Sequence, residues 1–226
     1  MNNYTEPTVR RYKIADQVYD MLKSQILKGT VAPGEEISPD QLAKRLNTSK
    51  TPIREALHRL KGEGLITDIE RGKISVIRLS PEEIAHLSEL YAALQTLALR
   101  WGFERISREK LRKNLEMLQK AKEDLEKGHL ERFLEADVIL HDLIVAAAHN
   151  RWLTRIVTHV RSFVAIMRNM FPSVERYREA WRDHVAIVES ILKGDRDSAI
   201  KNLNLHTEHV KNRLLASFQQ QPANKR

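Results

Sequence analysis

Four residues in the second half of the sequence have the types and spacing to hold a metal ion together. Asp137 and His141 stand four apart, so on a helix they share one face. Their neighbours Val138, Ile139, Leu140, Leu143, Ile144 and Val145 are apolar, which predicts a largely buried helix. An aspartate and a histidine buried together need partners, because an uncompensated buried charge is costly. His184 lies on the stripe Trp181, His184, Val188, Ile191, and His206 on the stripe Ala199, Leu203, His206, Val210. Three helices would thus each turn an ionisable side chain toward the core. One carboxylate and three imidazoles suit a divalent transition metal with one or two open coordination positions. Zinc is the default for such a set, with nickel and manganese as alternatives. The spacing also allows plainer readings: an i,i+4 ion pair for Asp137 and His141, and hydrogen-bonded core histidines for the others. His209, one turn from His206, competes for its place. His58, His86, His129, His149 and His159 have no partner pattern and read as surface or packing residues.

The elements that must position these residues are helices. Ser80-Pro81-Glu82-Glu83 is a capping box with proline at the first helical position, so a helix starts there. Ile84, Leu87, Tyr91, Leu94 and Ala98 recur in steps of three and four and carry it to about residue 105. Ser107 can cap a second helix running to 127, where Gly128 stops it. Further helices are predicted over roughly 129–149, 152–170 and 173–193. Gly194 ends the last of these, and Asp195 caps a final helix to about 218. Residues 80–220 therefore read as one all-helical domain, followed by a polar tail over 221–226.

Residues 1–79 read differently. Residues 1–10 carry no ordered pattern. A helix with Ile14, Val18, Met21, Leu22 and Ile26 on its apolar side follows, from about 11 to 28, and ends at Gly29. Ser38-Pro39-Asp40-Gln41 reads as a capping box with proline at the first helical position, and it opens a short helix with Leu42, Ala43 and Leu46 on one side. Asn47-Thr48-Ser49 breaks it. A second helix over about 50–61 buries Ile53, Ala56, Leu57 and Leu60, leaving Lys50, Thr51, Arg54, His58 and Arg59 to point elsewhere. A short helix, a turn, then a helix offering Lys, Thr and Arg near its start is a helix-turn-helix DNA reader. Residues 65–69 and 73–78 read as two strands joined at Glu70-Arg71-Gly72, where glycine can take positive φ. This makes a winged helix with Arg71 at the wing tip.

Composition agrees. At 226 residues there is room for one large or two modest domains. Half of the net charge of +8 falls on residues 1–79, about a third of the length, which fits phosphate contacts. There is no cysteine, so disulfides and thiolate metal sites are excluded and a reducing compartment fits. No segment is apolar for long enough to cross a bilayer, and MNNYTEPTVRRYK lacks the apolar core of a signal peptide. A cytoplasmic protein is expected.

Several fixed spacings coincide with a known family. Leu27-Lys28-Gly29, Pro33-Gly34, Leu42-Ala43, Ser49-Lys50-Thr51-Pro52-Ile53-Arg54-Glu55-Ala56-Leu57, Leu60, Gly64-Leu65 and Arg71-Gly72 make residues 11–79 resemble GntR-family transcriptional regulators. The helical part resembles the FCD effector-binding domain of the FadR branch. The spacing of Asp137 and His141, then one histidine in the penultimate helix and one in the last, resembles its metal-binding subgroup. The resemblance implies a homodimer on a short palindromic DNA operator, and a small-molecule effector in the helical domain that alters DNA affinity. It implies DNA contacts from Ser49, Lys50, Thr51, Arg54, Arg71 and Gly72. Many relatives carry arginine where this chain has Lys50, and lysine lacks the rigid bidentate fork. Many also carry an arginine in the first helix of the effector domain to hold an acid. This chain has Leu94 there, so another group such as Arg100 or Arg161 would have to serve, or the ligand, an organic acid, coordinates the metal directly, or the ligand is not an acid. Gln95 and Asn150 are further polar candidates, although Asn150 can also cap the preceding helix.

A metal site of this composition could also activate water for hydrolysis. No separate general base is evident, however, and a DNA-reading head suits a sensor better than an enzyme. A regulator for which the ion itself is the signal remains the alternative. A purely architectural DNA binder would leave the buried histidines unexplained.

Overall fold

The computed structural model describes residues 14–70, 73–171 and 173–220. It divides between Arg78 and Leu79 into two compact units. The first holds α1 (Ile14–Lys28), β1 (Glu36–Ile37), α2 (Pro39–Arg45), α3 (Lys50–Gly62), β2 (Ile66–Ile69) and β3 (Lys73–Val76). Ala15, Val18, Tyr19, Leu22 and Ile26 of α1 form a buried stripe, as do Ile53, Ala56, Leu57 and Leu60 of α3, and the two helices pack on each other. The strands lie in the order β1-β3-β2, all antiparallel, with Ile66 opposite Val76 and Ile37 opposite Ile74. β1 lies outside the sequence expectation. It is two residues long and carries no periodic signal, and only its pairing with β3 makes it a strand.

Turn chemistry fixes the helix-turn-helix. The Ser38 hydroxyl accepts the Gln41 N–H at the start of α2. Asn47, at φ 48°, takes the left-handed conformation that ends it, which asparagine tolerates better than most residues. The predicted site residues Arg71 and Gly72 lie outside the described residues, as do residues 1–13 and the polar tail over 221–226.

The second unit is α-helical among its described residues: α4 (Pro81–Gly102), a 3-10 turn at Phe103–Arg105, α5 (Arg108–Glu126), α6 (Glu131–Ala147), α7 (Arg151–Met170), α8 (Val174–Lys193) and α9 (Arg196–Gln220). The capping box at Ser80 is complete: its hydroxyl accepts the Glu83 N–H, and the Glu83 carboxylate accepts the Ser80 N–H. α4 packs against α6, α7 and α9, while α8 packs against α5, α6 and α9. Tyr91, Ala98, Leu99, Leu118, Phe133, Leu140, Ile144, Ile187, Val188 and Leu203 belong to one continuous core. Among the described residues no helix is long and apolar enough to cross a membrane.

Candidate metal centre and nucleic-acid interface

The histidine donors sit on the buried faces of their helices. His141 of α6, His184 of α8 and His206 of α9 are all buried, and one ring nitrogen of each lies within 4.8 Å of the other two. The Nε2 atoms of His184 and His206 are 3.3 Å apart. Asp137, one turn before His141, places Oδ1 3.4 Å from His184 Nε2 and 3.7 Å from His141 Nε2. Donors bound at about 2.0–2.1 Å around a tetrahedral ion stand about 3.3–3.4 Å apart, so two edges of this cluster already have the span that a small transition ion requires.

Electrostatics suit the same chemistry. Burial pushes the His141 pKa down to about 4, against the upward pull of Asp137. Burial also drives the His184 pKa well down, with His206 and His141 adding to it. Imidazoles held neutral keep a lone pair for a metal, whereas protonated ones do not. His206 turns its other nitrogen, Nδ1, toward Asp183 Oδ2 at 3.4 Å. That carboxylate also meets His209 Nδ1 at 3.2 Å. His209 is exposed and stands outside the cluster, whereas His206 faces it. Among the described residues, Nδ1 of His141 and of His184 have no hydrogen-bond partner. The Phe133 ring stacks on His184 with centroids 5.4 Å apart, walling one side of the cluster.

Of the four residues singled out by spacing, His141, His184 and His206 thus converge on one another, and Asp137 stands against His141 and His184 but outside that three-histidine group; a donor set of this kind suits a divalent transition ion. Three neighbours carry no sequence signal for a place at this site, although Tyr91 lies on the predicted apolar stripe of α4. Asp183 lies beside a predicted ligand but off its stripe. Arg168, near the end of α7, places Nη1 3.7 Å from Asp137 Oδ2. The Tyr91 ring lies 6.0 Å from His141, and burial raises its hydroxyl pKa.

The polar candidates for ligand contact fall in different places. Gln95 is fully buried; its Nε2 donates to the Tyr91 hydroxyl at 2.9 Å and its Oε1 has no partner among the described residues. Arg161 is bound to Asp142, and Arg100 is exposed on α4. Leu94 packs against the core. Asn150 does not cap the preceding helix: its Oδ1 accepts the N–H groups of Trp152 and Leu153 and so caps α7, which follows it.

In the first unit, Ser49, Lys50, Thr51 and Arg54 lie exposed along the first turns of α3. Ser49 occupies the N-cap position, yet its hydroxyl makes no cap bond, which leaves it for another acceptor or donor. Lys50 pairs with Asp40 at 2.9 Å, both side chains more than half exposed, an arrangement worth little to the fold and easily exchanged for a phosphate. Arg59 is turned away from this face. It binds Asp16 at 2.7 Å and lies over the Tyr19 ring, tying α3 to α1.

The FCD domain family matches residues 86–209, and the family of bacterial regulatory proteins described as gntR matches residues 14–76. The chain is 29% identical over 199 residues to the uncharacterized HTH-type transcriptional regulator YdhC of Bacillus subtilis, covering 85% of this chain and 87% of that protein. It is 26% identical to the gluconate operon transcriptional repressor of Bacillus licheniformis over 93% of this chain and 89% of the relative. Among solved structures, Escherichia coli McbR/YncC superposes with a TM-score of 0.76 at 19% identity, covering 91% of this chain and 99% of that one.

Proposed function

Because this chain belongs to the GntR family of bacterial regulatory proteins, carries an FCD domain and is a DNA-binding transcriptional regulator, we propose that it is a repressor whose operator affinity is set by a small molecule bound at a metal-centred pocket. The observation that carries this reading is the convergence of His141, His184 and His206 from three helices beside Asp137. These four residues would hold the ion, with zinc the first choice for one carboxylate and three imidazoles. Bound there, a divalent ion supplies a Lewis-acidic anchor for an oxygen donor of the ligand. Burial of the histidines favours a retained anchor over a freely exchanging ion that is itself the signal. Repression is favoured by relatives such as the gluconate operon repressor.

The functional units in this reading are 1–79 for DNA, 80–220 for ligand and dimer, and a tail over 221–226, in a cytoplasmic protein. Ser49, Lys50, Thr51 and Arg54, with Arg71 and Gly72 of the wing, contact a palindromic operator as a homodimer. Exposed apolar side chains support the dimer: Leu90, Leu97 and Trp101 share one face of α4, and Trp152 and Ile156 one face of α7. These two helices pack on each other. Ligand binding would favour one arrangement of the protein over another, a population shift that requires unequal affinity for the two.

The test is duplex binding by fluorescence anisotropy, using sequences selected by the protein from a random pool. Arg54→Ala is expected to weaken binding about tenfold or more while melting temperature stays put. Unchanged affinity would remove α3 from the reading role.

A further inference from the structure

With Leu94 packed against the core, Arg161 bound to Asp142 and Arg100 exposed, an anionic ligand in the helical unit needs another cation. The end of α7 and the start of α8 supply one. Arg176 is 8% exposed. Its Nη2 donates to the Arg168 carbonyl at 2.8 Å and to the Tyr177 hydroxyl at 3.3 Å, and its Nη1 is buried with no hydrogen-bond partner. Among the described residues, no carboxylate forms an ion pair with it. Arg168 places Nη1 3.7 Å from Asp137 Oδ2. Arg213 of α9 binds Glu179 through Nη1 at 2.7 Å and leaves Nε and Nη2 buried and unpartnered among the described residues.

A structural role explains part of this arrangement. Arginines close helix C-termini elsewhere in the domain: Arg105 on the Ala147 carbonyl, Arg108 on Ile191 and Arg178 on Leu125. Arg176 does the same for α7, but that task uses one arm of the fork. A guanidinium keeps its charge at any ordinary pH, and a buried charge without a counter-charge is costly. The neighbours deepen the deficit. Burial chiefly, and then Arg168 and Arg213, lower the Arg176 pKa against the opposing effect of Tyr177.

We propose that Arg176, flanked by Arg168 and Arg213, forms an anion-binding site beside the Asp137–histidine cluster, and that it takes a small molecule through carboxylate or phosphate oxygens. The planar guanidinium fork suits both groups. This names the chemistry of the proposed ligand and rests on the reading of the helical domain as a ligand-binding unit.

The test uses the full chain, metal-loaded and after chelator treatment and dialysis, with succinate and inorganic phosphate as probes against chloride at equal ionic strength. Calorimetric titration and thermal melting are the readouts. One of the two anions is expected to bind and to raise the melting temperature beyond chloride; which one does so tells a carboxylate site from a phosphate site. Arg176→Gln should weaken that binding roughly tenfold to a hundredfold, and Arg176→Lys should recover part of it. Should Arg176→Gln fail to fold, Arg168→Gln is expected to show the same loss. Neither anion exceeding chloride, or equal binding by the variants, overturns the site. Arg176-dependent anion binding in a protein that takes up no metal would keep this site and remove the metal-centred reading. Stoichiometric metal with no anion effect would do the reverse.

Discussion

Asp183 decides which way His206 faces. Burial alone would raise its pKa, but hydrogen bonds from His206 and His209 outweigh that and hold its carboxyl below the usual range. An ionised Asp183 accepts a proton-bearing Nδ1, so the lone pair of His206 is left on Nε2, the atom that faces His184. Such outer carboxylates orient histidine ligands and commonly change metal affinity about 10- to 100-fold when removed. Asp183→Asn is therefore expected to weaken zinc binding by about that factor in competition with a chelator, with Asp183→Glu recovering part of it. Equal affinity in the asparagine variant would make Asp183 a mere surface partner of His209. The four inner residues were legible in the sequence because they lie on or beside apolar stripes at helical spacing. Asp183 was not, because it reaches its partner across the α8–α9 contact, and no spacing within one helix reports a contact between two. The unpaired arm of Arg176 was invisible for the same reason.

At the scale of elements, local signals set most helix starts, since caps act on the residues next to them. The Ser80 box and the Ser38 and Ser107 caps all engage the N–H groups they were expected to engage. Interior boundaries and minor elements depended on packing. The helix expected to reach about 105 ends at Gly102, and a 3-10 turn completes the span. At Gly102 a Cβ would stand 2.6 Å from the Ala147 carbonyl carbon, so α4 and the end of α6 approach backbone to backbone. Gly102→Ala gains a little helix propensity but forces this contact apart. A net loss of about 1–3 kcal/mol is expected from urea unfolding of the purified protein. No loss would mean that α4 can shift freely against α6. The third strand, β1, belongs with these packing-dependent features, because two residues cannot announce a strand without their partner.

For the whole molecule, a winged-helix unit and a helical unit were both readable from periodicity and punctuation, and the family matches agree with that division in kind. Which face would join two copies was not readable, because an exposed tryptophan looks the same in sequence as a buried one. Trp101 and Trp152 are 47% and 60% exposed, a large apolar area to leave in water. If their faces join two copies, Trp101→Glu combined with Trp152→Glu should halve the mass seen by sedimentation equilibrium and weaken binding to a palindromic duplex more than to a half-site. A double variant that remains dimeric would place the interface elsewhere. Whether the helical domain is built around a metal ion is decided by elemental analysis of the purified protein beside a His184→Ala, His206→Ala double variant. About one equivalent of a transition metal per chain is predicted for the native sequence, with its loss and a lower melting temperature in the variant, since an ion bound only by the folded state stabilises it. A stable native protein without metal, or full retention of metal by the variant, would remove the metal site and reduce Asp137, His141, His184 and His206 to a polar network in the core.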